Sequence, residues 1–256
     1  MRNLRLIARL DVKAPNLVKG VQMEGLRKLG NPYEFAKRYY AQGIDEILYI
    51  DIVASLYERN SLLDLIKQTT QDIFVPITVG GGLRSIDDVA AALRAGADKV
   101  AINTAAIKNP QIITEVSQRF GSQCMVLSIQ AKRNGDHWEA YYDCGREHSG
   151  LNAVEWAQRG EALGAGEILL TSVDKEGTGK GFDLELVKAV TDKVNIPVIA
   201  SGGMGNLEHF TAVANIGHAD AVAMAHVLHY QHLCVNDVRQ HAINNQIPVR
   251  RYEVKP

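Results

Sequence analysis

Short runs of apolar residues alternate with longer amphipathic segments along the whole chain. Eight runs stand out: Leu6–Leu10, Ile47–Ile52, Pro76–Val79, Val100–Asn103, Met125–Ile129, Ile168–Thr171, Pro197–Ala200 and Ala221–Ala225. Most are apolar at nearly every position, the pattern of parallel strands covered on both faces. Helix-start signals fall between them. Asn31-Pro32 and Asn109-Pro110 each put a good N-cap before a proline at the first helical position. Ser85 and Asp88 have the spacing of a capping box. Eight strand–helix units predict an α/β fold of the (β/α)8 barrel type, with a doubly wound sheet as the alternative. Two connections, Val12 to Gly30 and Ala131 to Gly150, are too long for simple turns. They are expected as long loops at the active-site end of the barrel, and hence as candidate lids.

The pattern also repeats. Ile77-Thr78-Val79-Gly80-Gly81-Gly82 recurs about 121 residues later as Val198-Ile199-Ala200-Ser201-Gly202-Gly203. Each copy follows a proline (Pro76, Pro197) and precedes an Ala-Asp pair (Ala97-Asp98, Ala219-Asp220). Asp45-Glu46-Ile47-Leu48 likewise matches Gly166-Glu167-Ile168-Leu169. Two four-unit halves, about 1–121 and 122–256, close naturally into a ring, which favours the barrel. The chain is therefore expected to be one barrel domain over 1–256.

Composition narrows the function classes. The chain has 256 residues and a net charge of −1, with no block of like charge. A nucleic-acid or anionic-membrane surface is not expected as its main partner. Cys124, Cys144 and Cys234 are odd in number and lack metal-ligand spacing, as for reduced thiols in the cytoplasm. Arg2, Arg5, Arg9 and Asp11 interrupt the N-terminal apolar run, so no signal peptide is expected. Nothing calls for a metal or a redox cofactor.

Barrel active sites lie where the strands end. Gly80-Gly81-Gly82 ends the third strand and Gly202-Gly203 the seventh, each leading into a helix. Glycine lets backbone approach a ligand, and exposed N–H groups near a helix start favour an anion. Asn103 and Thr104 would complete the first anion site; Gly177, Gly203 and the Ala225-His226 turn would complete the second. Two such sites across one mouth point to a substrate with a phosphate at each end. Asp11 ends the first strand near the centre of this mouth, placed to act as a general acid or base. Its repeat mate is Gln130, which can orient a substrate but cannot transfer a proton as a carboxylate does. At the opposite end Arg5, Glu46, Lys99 and Glu167 each begin a strand. Side-chain alternation turns Arg5 to the same side as Asp11. If that side is inward, the four charges close the bottom of the bore.

These motifs together resemble the cyclase subunit of imidazole glycerol phosphate synthase, from about Arg5 to Arg250. The most specific pieces are Leu10-Asp11-Val12-Lys13, Thr78-Val79-Gly80-Gly81-Gly82, Arg94-Ala95-Gly96-Ala97-Asp98-Lys99-Val100, Asn103-Thr104-Ala105-Ala106, Gly164-Ala165-Gly166-Glu167-Ile168-Leu169-Leu170-Thr171-Ser172 and Ile199-Ala200-Ser201-Gly202-Gly203. The resemblance implies a lyase of histidine biosynthesis, working as a heterodimer with a glutaminase docked at the barrel bottom. Ammonia passes through the bore to a ribulosyl formimino-aminoimidazole carboxamide ribotide phosphorylated at both ends. It implies an ammonia gate of Arg5, Glu46, Lys99 and Glu167, a docking contact at Asp98 and a lid residue in Lys19. It also implies substrate contacts at Asn103, Thr104, Thr171, Gly177, Ser201 and Gly203, joined by Gly81, Gly82, Gly202 and Ala225 around the phosphates.

The departures cluster at the mouth. Gln130 replaces an expected aspartate, Ala225 an expected serine, and Glu176 stands where an aspartate usually precedes Gly177. An altered mouth above an intact gate also fits an ammonia-channelling relative that serves amidination of a sugar in surface polysaccharide synthesis. A silent subunit that only stimulates the glutaminase is a third reading.

Overall fold

All eight apolar runs become strands. The computed structural model of the chain describes residues 3–54 and 62–252. In chain order the strands are β1 (Arg5–Lys13), β2 (Asn16–Val21), β3 (Glu24–Gly30), β4 (Glu46–Asp51), β5 (Ile77–Gly80), β6 (Lys99–Ile102), β7 (Met125–Asn134), β8 (His137–Tyr142), β9 (Glu147–Asn152), β10 (Glu167–Ser172), β11 (Val198–Ser201) and β12 (Ala221–Met224). The order β1-β4-β5-β6-β7-β10-β11-β12 is parallel throughout and closes when Arg5 of β1 pairs with Ala221 of β12. This is a (β/α)8 barrel.

Helices α1 (Pro32–Ala41), α2 (Leu63–Asp72), α3 (Ile86–Arg94), α4 (Thr104–Lys108), α5 (Gln111–Phe120), α6 (Ala153–Ala162), α7 (Leu184–Thr191), α8 (Leu207–Asn215), α9 (His226–His229) and α10 (Val235–Asn244) connect the strands. Asn31 caps α1 through Tyr33 N, with Pro32 at the first helical position. The second Asn-Pro pair works one residue later than expected: α5 begins at Gln111, and Asn109 Oδ1 accepts from Gln111 N at 3.3 Å. The Ser85–Asp88 capping box forms as expected and starts α3. Ser85→Ala should therefore lower stability by about 1 kcal/mol in urea unfolding, since it deletes one of two reciprocal caps.

The two long connections are not loops. The first folds as the β2–β3 hairpin and the second as β8 and β9, both antiparallel extensions of the barrel strands that precede them. Val21 faces Glu24 across the two-residue turn Gln22-Met23, both at positive φ. Neither residue is a usual choice there, so the sequence carried no turn signal. The second extension turns at Gly135-Asp136, between the paired residues Asn134 and His137, with Gly135 at positive φ.

Side-chain alternation divides the strand residues. Leu6, Ala8 and Leu10 face outward into the main core beneath the helices. Ile7, Leu48, Ala101, Val126, Leu169, Ile199, Ala221 and Ala223 face inward as a separate apolar layer across the bore. Arg5 lies below that layer and Arg9 and Asp11 above it, two residues apart along one strand face.

Candidate active site

The lower end of the bore carries the four charges expected there. Arg5 Nη1 donates to Glu46 Oε1 at 2.6 Å, and Arg5 Nη2 donates to Glu167. Lys99 Nζ lies 2.9 Å from both Glu46 Oε2 and Glu167 Oε2. Each cation thus bridges both carboxylates and each carboxylate both cations, the condition that makes partly buried charge tolerable. A cavity of about 240 Å³ beside the ring is lined in part by Arg5, Lys99, Gln123 and Glu167. Asp98 is exposed on this face, where its Oδ2 accepts from Ile77 N at 2.7 Å. Asp45 and Asp220 hold Leu6 N and Val198 N in the same way, so all three acids also tie strand starts together.

At the upper end Arg9 occupies the centre of the mouth. Its Nε donates to Asp11 Oδ1 at 2.9 Å, and its Nη1 donates to Thr171 Oγ1 at 3.0 Å and Ser201 Oγ at 2.9 Å. Lys19 reaches in from β2, 3.3 Å from Asp11 Oδ2, and donates also to Glu176. Burial alone would raise the Asp11 carboxyl. Arg9, and after it Lys19, outweighs burial and brings the carboxyl down to about 2. Asp11 is thus a fixed anion at neutral pH, able to attract and hold a cation but weak as a proton acceptor. Arg9 was missed in the sequence, although its position two residues before Asp11 turns it into the same bore. Glu176 was legible only as an oddity beside Gly177.

The candidate residues fall into two cavities that share Arg9 and Glu176. The larger, about 360 Å³, is lined by Asp11, Lys19, Gly81, Gly82, Asn103, Thr104 and Gln130, together with Cys144 and Arg146. Asn103 Nδ2 is held by the carbonyls of Ser128 and Tyr141 at 3.0 and 3.1 Å. Thr104 Oγ1 accepts from Asp143 N, and Cys144 donates to Ile52 O. The β8–β9 turn of the second half therefore roofs the candidate anion site of the first. The smaller cavity brings together Gly177, Ser201, Gly202, Gly203 and Ala225 but has a volume of only about 10 Å³. The β2–β3 hairpin has closed over it: Gln22 N donates to Glu176 O at 2.7 Å, and a Cβ on Gly177 would lie 2.3 Å from Gly20 O.

The two glycine turns keep the repeat in three dimensions. Gly81 and Gly203 have φ of +91° and +109°, and a Cβ on either would lie 2.1 Å from a carbonyl oxygen, of Asp51 or Gly181. Only glycine fits such a backbone, and both turns lead into the capped helices α3 and α8.

Comparison with known proteins places the chain in a family. A family model described as histidine biosynthesis protein matches residues 5–234. The chain belongs to that family. Within the family it is similar to the imidazole glycerol phosphate synthase subunit HisF of Legionella pneumophila, 65% identical over 212 residues, which are 82% of this chain and 100% of that protein. The subunit HisF of Pyrococcus furiosus is 50% identical over 246 residues, 96% of this chain and 98% of that one. The Myxococcus xanthus subunit HisF is 52% identical over 229 residues, 90% of each chain. Among the described residues no helix is long and apolar enough to cross a membrane, and no cluster of three or more His, Cys, Asp or Glu is placed to hold a metal.

Proposed function

We propose that this chain is the cyclase subunit of imidazole glycerol phosphate synthase. It uses glutamine-derived ammonia to convert the bis-phosphorylated ribulosyl formimino-aminoimidazole carboxamide ribotide into imidazole glycerol phosphate and an aminoimidazole carboxamide ribotide. One observation carries the reading: two matched glycine turns flank a charged mouth, and that mouth stands over a bore closed below by a ring of ion pairs. The names of the similar proteins favour this reading over sugar amidination.

In this reading Gly81, Gly82, Asn103 and Thr104 hold one phosphate, and Gly177, Ser201, Gly202, Gly203 and the Ala225 turn hold the other. The second phosphate enters when the β2–β3 hairpin lifts off Gly177. Asp11 receives the nitrogen nucleophile, Thr171 steadies Arg9, and Gln130 orients the substrate. Arg5, Glu46, Lys99 and Glu167 guard ammonia entry. A glutaminase subunit docks below them, with Asp98 on its contact face, to form the heterodimer.

The test uses the purified chain with the ribulosyl substrate. Ammonium salt alone should yield imidazole glycerol phosphate, whereas glutamine should yield it only when the glutaminase is added. No product from ammonium at any concentration would sink the reading.

A further inference from the structure

Two carboxylates face the ammonium of Lys19 at the mouth. Asp11 Oδ2 lies 3.3 Å from Lys19 Nζ, and Glu176 Oε1 accepts from the same nitrogen. Both acids are more than nine-tenths buried, at 6% and 4% exposure. They come from opposite halves of the barrel: Asp11 lies near the end of β1, and Glu176 stands in the turn after β10. The repeat, however, sets Gln130 opposite Asp11. An amide cannot carry a proton as a carboxylate does. The Gln130 Oε1 is buried with no hydrogen-bond partner among the described residues, so it offers an acceptor to a reactant N–H. The symmetric position thus lacks a proton carrier, while a second carboxylate reaches the same cation from elsewhere.

Lys19 shows what this pair of acids accepts. A primary ammonium held between two anions is the nearest side-chain counterpart of an ammonium ion or a protonated amine. The two acids are not equivalent. Asp11 takes Arg9 Nε at 2.9 Å, whereas the nearest Arg9 nitrogen is 4.0 Å from Glu176 Oε2, beyond hydrogen-bond reach. Asp11 is therefore hydrogen-bonded to both cations and Glu176 to Lys19 alone, so that withdrawal of Lys19 leaves Glu176 as the carboxylate that Arg9 does not hold by a hydrogen bond.

We propose that Glu176 is the proton-transferring group of this mouth, working opposite the fixed anion Asp11 on the nitrogen whose place Lys19 Nζ now takes. It does here what a carboxylate at position 130 would do. The inference rests on the cyclase reading above. Condensation of ammonia with the ribulosyl ketone forms a C=N bond and breaks the C=O bond. Two protons move from nitrogen to oxygen, and the oxygen leaves as water. Glu176 accepts each proton from nitrogen and returns it to that oxygen, ending as it began. Lys19 withdraws with the β2–β3 hairpin, which is tied to this turn through Gln22 N and the Glu176 carbonyl.

The experiment measures ammonium-dependent turnover by the full chain in four forms: the parent, Glu176→Gln, Gln130→Asp, and the double variant Glu176→Gln/Gln130→Asp. Glu176→Gln should lower kcat about a hundredfold or more while KM changes by less than about threefold. The double variant should recover at least about tenfold of that loss. A residue that only braces Lys19 would not be replaced from position 130. If Glu176→Gln does not fold, Glu176→Gln/Lys19→Met removes both charges together and is compared with and without Gln130→Asp. A Glu176→Gln chain within about threefold of the parent overturns the inference, as does a double variant no faster than Glu176→Gln. An inactive parent overturns the cyclase reading and the inference with it. An active parent with an active Glu176→Gln overturns the inference alone.

Discussion

Asp11→Asn should lower ammonium-dependent kcat by about a hundred- to a thousandfold and lower folding stability by about 3 kcal/mol. The substitution keeps the shape of the side chain and removes only its charge. Asp11 accepts from Arg9 and Lys19, both buried, at 2.9 and 3.3 Å. Without it, Glu176 alone faces the two cations. Deleting one partner of a buried pair commonly costs about 3–5 kcal/mol, and the remaining Glu176 carboxylate places this case near the lower end. The loss of rate has a separate origin: an anion fixed at the point where nitrogen arrives is worth most when a positive charge develops there. Urea unfolding reads the first effect and steady-state turnover per folded chain the second. Unchanged stability would mean that Glu176 satisfies both cations alone. Unchanged kcat would remove Asp11 from the reaction.

Much of this arrangement was legible because strands impose a strict alternation. Arg5 and Asp11 share a strand face, so a gate at one end and a carboxylate at the other could be read together. The glycine turns were legible because the repeat presents them twice. Arg9 lies on that same face but was hidden by its setting: an arginine inside an apolar N-terminal run reads first as an interruption. Its four neighbours, Asp11, Thr171, Ser201 and Glu176, come from three strands and one turn, and no local pattern joins them. The closure of the second candidate anion site was equally out of reach, since it depends on a hairpin whose turn, Gln22-Met23, has no turn-forming residues.

The layers of the bore fit passage of a neutral molecule. A ring of ion pairs lies below, an apolar layer between, and fixed charges above. On the cyclase reading, ammonia crosses the apolar layer unprotonated, because an ammonium ion there would forfeit its hydration without gaining a partner. On the same reading, protons are exchanged again at the mouth, where Glu176 faces the fixed anion Asp11.

Acid should weaken the fold through His229 well before it reaches Asp11. His229 is buried on α9, its Nδ1 2.7 Å from Tyr39 Oη and its ring stacked on Tyr39. Burial first, and then the Lys19 ammonium, lowers this imidazole from 6.5 to about 3. Below pH 6.5 the unfolded chain therefore takes up a proton that the folded chain refuses. Stability falls by roughly 1.4 kcal/mol per pH unit until the folded imidazole also titrates near pH 3. Asp11 acts at a lower range. Its contribution is present above the ordinary carboxyl value of 3.8 and is lost only as pH drops toward 2. Between pH 7 and 4.5 its contribution is nearly constant, so that window isolates the histidine. Urea midpoints across the window should show a loss of about 2.5 kcal/mol in the parent chain. His229→Asn keeps an acceptor near Tyr39 and removes the titration. Whatever its starting stability, it should lose markedly less over the same window. An equal loss in both chains would assign the acid sensitivity to other groups and leave His229 a purely packed ring.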